Sequence, residues 1–242
     1  INDKNIKNYV LFGDENFKIF NLNKLSLVKF SAEINKFINS NKLKKKNFLI
    51  FNFNPDQKII LIKTKNIQSS LENEKQGADL FNFIKLNSVL NLTFIEDNFK
   101  SIISKNKNFF NEVIHGAQLK SYKFDKYKTK KDSDKFEFNI SGNKSLNNKK
   151  FNRYFSLIEG INMTKDLVSE PGNILHPDEY AKRLVNLKKL GLKITIYDQN
   201  KLKKLGMNAL LGVGQGSIRG SYLVTMEWQG TNVKTKPVSF VG

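Results

Sequence analysis

The 242-residue chain is 39% apolar and 12% aromatic, enough for a substantial core, and has a formal net charge of +19 with a pI near 9.8. Cysteine is absent, which excludes disulfides, thiolate zinc sites and thiol catalysis. No run reaches the roughly 18–20 uncharged apolar residues of a membrane helix, and Lys4 and Lys7 lead into Asp14 and Glu15, not into the apolar core of a signal peptide.

In chain order, Asn47–Phe53 and Lys58–Lys65 read as two strands joined through Pro55 and Asp56, a hairpin. Ser69–Leu86 reads as a helix with Leu71, Ala78, Phe81 and Ile84 apolar and Ser69 or Ser70 as its cap. Ser88–Phe94 is a further strand. Phe99–Leu119 reads as one long helix whose buried stripe runs through Ile102, Ile103, Phe109, Phe110, Val113 and Ile114. A mixed sheet flanked by helices follows from this alternation.

Glycine usage then changes. Only Gly13, Gly77 and Gly116 precede Gly142, and all the others follow within about a hundred residues. The polar stretch Lys128–Lys150, with one short strand at Phe136–Ile140, marks the join between two differently built parts. Asn152–Val168 reads as a helix with Phe155, Ile158, Ile161, Leu167 and Val168 at helical spacing, broken by Pro171 and Gly172. Pro177 opens the next helix, with Asp178 and Glu179 at its positive end, and Gly191 ends it after Leu190. Strands at Leu192–Tyr197, Tyr222–Trp228 and Pro237–Val241 and a short helix at Gln199–Leu205 complete an α/β pattern.

The high charge by itself suggests a polyanion partner. Yet the cations are nearly all lysine; Arg153, Arg183 and Arg219 are the only arginines, and asparagine is abundant. That is the signature of AT-rich codon usage, and arginine is the residue suited to bidentate phosphate and guanine contacts. A dedicated nucleic-acid role is the secondary alternative. Lys42, Lys44, Lys45 and Lys46 read as a solvated face.

No constellation of side chains declares a chemistry. His115 reads as a helix-ending cation and His176 as a residue before a helix start, and no His-x-x-x-His or His-Glu pair exists. Gly212, Gly214 and Gly216 imitate a phosphate loop. They are followed by a turn and strand, not a helix, and read as a tight chain crossing between strands. Asp132 and Asp134 lack the further oxygens of a calcium loop.

Four segments do carry a resemblance. "DLVSEPGNILHPDEYA" (Asp166–Ala181) is similar to a helix ending D-L-x-N-x-P-x-N followed by a Pro-led helix. "LGMNALLGVGQGS" (Leu205–Ser217) is similar to L-G-M-x-x-x-x-x-V-G-x-G-S. "GAQLKSYKFDKYKTKK" (Gly116–Lys131) and "PVSFVG" (Pro237–Gly242) match two further stretches in the same order. Together they resemble the M17 leucyl aminopeptidases. Ser169, Gly172 and His176 depart from the usual residues, at positions that look structural.

The resemblance implies a macro-like N-terminal α/β domain over 1–147, a linker helix over 148–170, and over 171–242 the start of an α/β phosphorylase/hydrolase-like aminopeptidase domain. It implies a cytoplasmic homo-hexamer that removes N-terminal residues, preferably leucine, from peptides with two divalent ions, Mn or Zn. The family's first metal-ligating Lys and Asp fall in a K-G-x-x-F-D run after the strand matched by Pro237–Gly242. No catalytic, metal or cofactor residue is therefore assigned to this sequence. It begins at Ile1 and stops at Gly242, reads as a fragment, and is expected to be inactive by itself. The macro-like resemblance also raises an ADP-ribose-binding module as an alternative, against which the glycine-poor first part argues.

Overall fold

In the computed structural model, residues 6–41, 46–65, 68–89, 91–130, 135–142, 148–230 and 236–242 are described, without the side chains of 53–54 and 148–150. They fall into two units, Ile1–Thr164 and Lys165–Gly242.

The first unit is organised by β1 (Asn8–Gly13). Its run Tyr9-Val10-Leu11-Phe12 is buried on both faces, as a strand inside a parallel sheet must be. It pairs in parallel with β3 (Gln57–Lys63) on one side and β4 (Asn91–Ile95) on the other. β2 (Phe48–Asn54) closes the expected hairpin antiparallel to β3, and β5 (Glu137–Ser141) adds in parallel to β4. The order is β2-β3-β1-β4-β5.

Alternate side chains feed two cores, because strand residues point to opposite faces in turn. Val10, Phe12, Ile60, Ile62, Leu92 and Phe94 face one cluster with α2 (Ser70–Leu86), α3 (Glu96–Ile103) and α4 (Phe109–Ser121). Tyr9, Leu11, Ile59 and Leu61 face the other, against Ile34 and Ile38 of α1 (Ser31–Asn41). The α/β architecture read from the sequence is thus realised as a parallel-rich sheet with helices on both faces.

Ser69 caps α2 in a full capping box. Its Oγ accepts from the Glu72 N–H at 3.3 Å, and the Glu72 carboxylate accepts from the Ser69 N–H at 2.8 Å. Those bonds to Ser69 hold the Glu72 carboxyl below its ordinary range.

The long helix read at Phe99–Leu119 is two helices. Residues 104–108, "SKNKN", turn the chain between α3 and α4: the Lys105 and Asn106 N–H groups both reach the Ile102 carbonyl, and Asn106 Oδ1 accepts from the Asn108 N–H. Short asparagine side chains compete for backbone in this way and end helices. The turn lets α3 cover the Asn98 side while α4 lies across α2. The α2–α4 crossing is unusually close: a Cβ at Gly77 would stand 1.8 Å from the Val113 carbonyl oxygen, and one at Gly116 would stand 1.9 Å from that of Glu74. Only hydrogen fits at either point.

The helix α5 (Asn148–Ser169) contains the division between the units. In the second unit, α6 (Pro177–Val185) passes into a 3-10 turn over Asn186–Leu190, where a longer α-helix was read, and Gly191 at φ +92° ends it. β6 (Lys193–Tyr197) pairs antiparallel with β7 (Leu223–Glu227). Between them lie α7 (Gln199–Lys204), capped by Asp198, and α8 (Asn208–Gly214).

Two segments differ from the sequence expectation. Gly212 and Gly214 lie in α8, not in a chain crossing between strands; Ala209, Leu210 and Leu211 are good helix formers and carry the turn through the glycines. Pro237–Val241 forms no strand, because among the described residues no neighbour offers it a ladder.

The close crossing yields a direct test. Gly77→Ala and Gly116→Ala should each cost about 2–4 kcal/mol by forcing the helices apart, despite alanine's better helix propensity. Gly160→Ala, in α5 with open space around it, should gain about 0.5–1 kcal/mol. Urea unfolding followed by circular dichroism distinguishes the three.

Candidate functional site

The most concentrated polar chemistry of the first unit sits beside the α2–α4 crossing. Glu112, 3% exposed, accepts from Ser70 Oγ and Asn73 Nδ2, each at 2.7 Å, and from the Tyr154 hydroxyl at 3.5 Å. One helical turn on, His115, 6% exposed, places Nδ1 3.1 Å from Glu74 Oε1 and packs its ring edge-on against Tyr154. Spacing of three and four residues puts Ser70, Asn73, Glu74 and Gly77 on one face of α2, and Glu112, His115 and Gly116 on one face of α4. His115 is therefore mid-helix and buried, not the helix-ending cation read from sequence. Burial, and then the negative charge of Glu112, push the Tyr154 phenol above its ordinary range.

This cluster has the ingredients of proton-transfer chemistry but lacks an approach for substrate. Its carboxylate, on α4, is consumed by three donors, two from α2 and one from α5. The open depression of about 360 Å³ on this unit is lined elsewhere, by Phe81, Ser121, Lys123, Asp125, Lys135, Phe136 and Glu137. The arrangement clamps α2, α4 and α5 together.

Open α/β sheets bind ligands at the carboxyl ends of their parallel strands. Here that ground is built over. Asn98, fully buried in α3, accepts from the Phe12 N–H at 2.6 Å and donates to the Phe12 and Phe20 carbonyls at 3.0 and 2.8 Å. The turn after Gly13 folds buried Phe17 back over the strand end, at φ +61°. Asn98 and Phe17 thus occupy the end of β1, which argues against the ADP-ribose alternative there.

In the second unit, charged residues gather around α6. His176 holds the N-cap position without capping, and its Nδ1 bonds to Asp178 Oδ1. Arg219 reaches the other Asp178 oxygen at 3.3 Å. Partial burial opposes ionisation of Asp178, but its own backbone N–H, His176 and Arg219 outweigh it and hold the carboxyl low. Arg183 donates through Nε to Glu179 and through Nη1 to Glu170, both at 2.9 Å; these bonds raise the guanidinium further and lower Glu179. Glu170 and Arg183 thereby close the turn that carries Pro171 and Gly172. Two of the three arginines are spent on internal clamps, as a bidentate cation suits.

The other sequence candidates scatter. Gly216 lies in the turn after α8. Asp132, Asp134, Lys42, Lys44 and Lys45 lie outside the described residues, and Lys46 is exposed. Among the described residues, no three His, Cys, Asp or Glu side chains converge as metal ligands, so the donor set does not fit a two-metal site. No described helix is long and apolar enough to cross a membrane.

Comparison with known proteins supplies what the geometry does not. Residues 162–242 match the family described as "Cytosol aminopeptidase family, catalytic domain". Over these residues the chain is similar to a cytosol aminopeptidase catalytic domain. A probable cytosol aminopeptidase of Phytoplasma australiense is 42% identical over 142 residues, 56% of this chain and 29% of the relative. One from Afipia carboxidovorans is 45% identical over 133 residues, 52% of this chain and 27% of the relative. The matched stretch thus spans under a third of these cytosol aminopeptidases.

Among solved structures, a mutant tomato leucine aminopeptidase superposes with a TM-score of 0.73 at 18% identity. It covers 93% of this chain and 49% of its own. The bottromycin maturation enzyme BotP does so at 0.67 and 15%, covering 93% and 46%. At these identities the structures speak for the fold, and they extend it across the first unit as well.

Two variants probe the cluster. Glu112→Ala should cost roughly 2–4 kcal/mol by stranding the buried Asn73 amide and opening a gap between the helices, and Glu112→Gln less. Because the folded state raises the Tyr154 pKa, its contribution is complete below about pH 10 and is lost as pH rises through the folded value. Tyr154→Phe should flatten that alkaline loss in stability measured between neutral pH and the onset of base denaturation.

Proposed function

We propose that this chain is part of a metal-dependent aminopeptidase that releases N-terminal residues, preferably leucine, from peptides. The observation that carries this is the catalytic-domain match over 162–242, supported by relatives of 42–45% identity named as cytosol aminopeptidases. Two divalent ions, Mn or Zn, would supply Lewis-acid polarisation and a nucleophilic water in the whole protein. BotP has been captured in complex with Mn. The described residues of this chain offer no ligand set for such ions, so no step of the reaction is assigned to them.

On this reading residues 1–147 form the N-terminal domain, 148–170 a linker helix and 171–242 the catalytic-domain portion. The first unit, closed at its strand ends by Asn98 and Phe17, serves assembly and access, in a cytosolic hexamer. The Glu170–Arg183 and Asp178–Arg219 pairs hold the start of the catalytic portion in shape. By itself the chain is inactive.

A polypeptide continuing this sequence through a full family catalytic domain should hydrolyse leucine p-nitroanilide when Mn is added. The chain Ile1–Gly242 should release no more product than a blank and show no Mn binding by calorimetry. Hydrolysis by the chain alone, or an inert full-length protein with Mn or Zn bound, would refute the proposal.

A further inference from the structure

The open depression of the first unit, about 360 Å³, lies where the C-terminus of α4 meets the amino end of β5. That is the opposite end of the sheet from the one closed by Asn98 and Phe17. Its apolar lining is aromatic. Phe81 of α2 is buried, and the partly buried Phe136 sets its ring edge-on to it, with centroids 5.8 Å apart. Its polar lining carries both signs of charge, Lys123 and Lys135 with Asp125 and Glu137. Asp125 is half-buried and Lys135 exposed. Ser121, the last residue of α4, donates its hydroxyl to the Gln118 carbonyl at 2.8 Å, which keeps its oxygen available as an acceptor.

Each part of this lining disfavours a class of occupant. A phosphate or a nucleotide would meet two carboxylates, and a simple cation would meet two ammonium groups. A wholly apolar molecule would strip water from four charges and pair none of them. A small molecule with one charge of each sign and an apolar body suits all of the lining at once. The volume sits at the lower end of the range for small-molecule pockets, which is room for one amino acid.

We propose that this depression binds a free α-amino acid with an apolar side chain. Its ammonium group pairs with Asp125, beside Ser121 and the negative end of the α4 dipole. Its carboxylate pairs with Lys135, and its side chain rests on Phe81 and Phe136. The site belongs to the first unit and holds whether or not the second unit is part of an aminopeptidase.

Calorimetric titration of the chain Ile1–Gly242 with leucine should saturate at one to one, with a Kd of about 1 mM or tighter. Leucinamide lacks the carboxylate, isocaproate lacks the ammonium group and glycine lacks the apolar side chain. Each should bind roughly tenfold more weakly or worse. Asp125→Asn and Lys135→Met should each weaken leucine by roughly tenfold with the circular dichroism spectrum unchanged, and Lys135→Arg should retain binding. Lys135→Met should leave the weak binding of leucinamide as it was, because that probe has no carboxylate to lose.

Absence of saturable heat with leucine overturns the proposal. So does leucinamide or isocaproate binding as tightly as leucine, inorganic phosphate binding more tightly, or leucine binding that survives both Asp125→Asn and Lys135→Met. The series of analogues on the unaltered chain decides the matter even where a variant fails to fold.

Discussion

Helices α2 and α4 meet backbone to backbone at Gly77 and Gly116, with no room for a methyl group at either point. Much of the first unit depends on that contact. It draws the helices close enough for Asn73 and Ser70 on one to bond Glu112 on the other, and for His115 to reach Glu74. It also sets the height of the helical layer above the sheet, and so the depth available to Phe12, Phe94, Phe99 and Phe110. Phe99 and Phe110 stack with ring centroids 4.4 Å apart. Close approach and a buried carboxylate reinforce each other: the glycines allow the polar cluster to form, and its satisfied donors keep the helices from slipping.

The same economy explains why the cluster looks like a site and does not act as one. A buried carboxylate, an imidazole and a phenol within one helical turn of each other have the elements of acid–base chemistry. Chemistry also needs a substrate to arrive. Each group here faces another helix, and the strand ends where α/β sheets usually admit ligands are held by Asn98 and Phe17. The second unit shows the complementary condition. Its ionic pairs around α6 are internal clamps, while its apolar residues at β7 and in Pro237–Gly242 stand in solvent. The first unit buries its polar cluster; the second leaves apolar side chains exposed, and the aminopeptidase reading draws its strength from that second unit.

How much of this could be read from the residues varied with the range of the interaction. The β2–β3 hairpin, the capped helix at Ser70–Leu86 and the Pro177 helix start were legible because turn and cap signals act within three or four residues. β1 was not, because a strand buried on both faces shows a short apolar run without alternation. α1 was not either; its apolar positions are few and its asparagines point to turns. The long helix at Phe99–Leu119 failed at Ser104–Asn108: apolar spacing resumes after the break with nearly the right phase, so periodicity alone bridges it. The burial of His115 was not legible either, since its partner Glu74 lies 41 residues away on another helix.

The sequence by itself determined the α/β class and, through four ordered segments from Gly116 to Gly242, the resemblance to aminopeptidases. Those are properties of local pattern and of residue order, which survive without coordinates. Only the tertiary structure decided that Gly77 and Gly116 face each other's helices, that Glu112 and His115 are buried, and that β7 pairs antiparallel with β6. Each of these depends on residues from about 30 to 90 positions apart being brought together by packing, and no spacing along the chain encodes which pairs will meet.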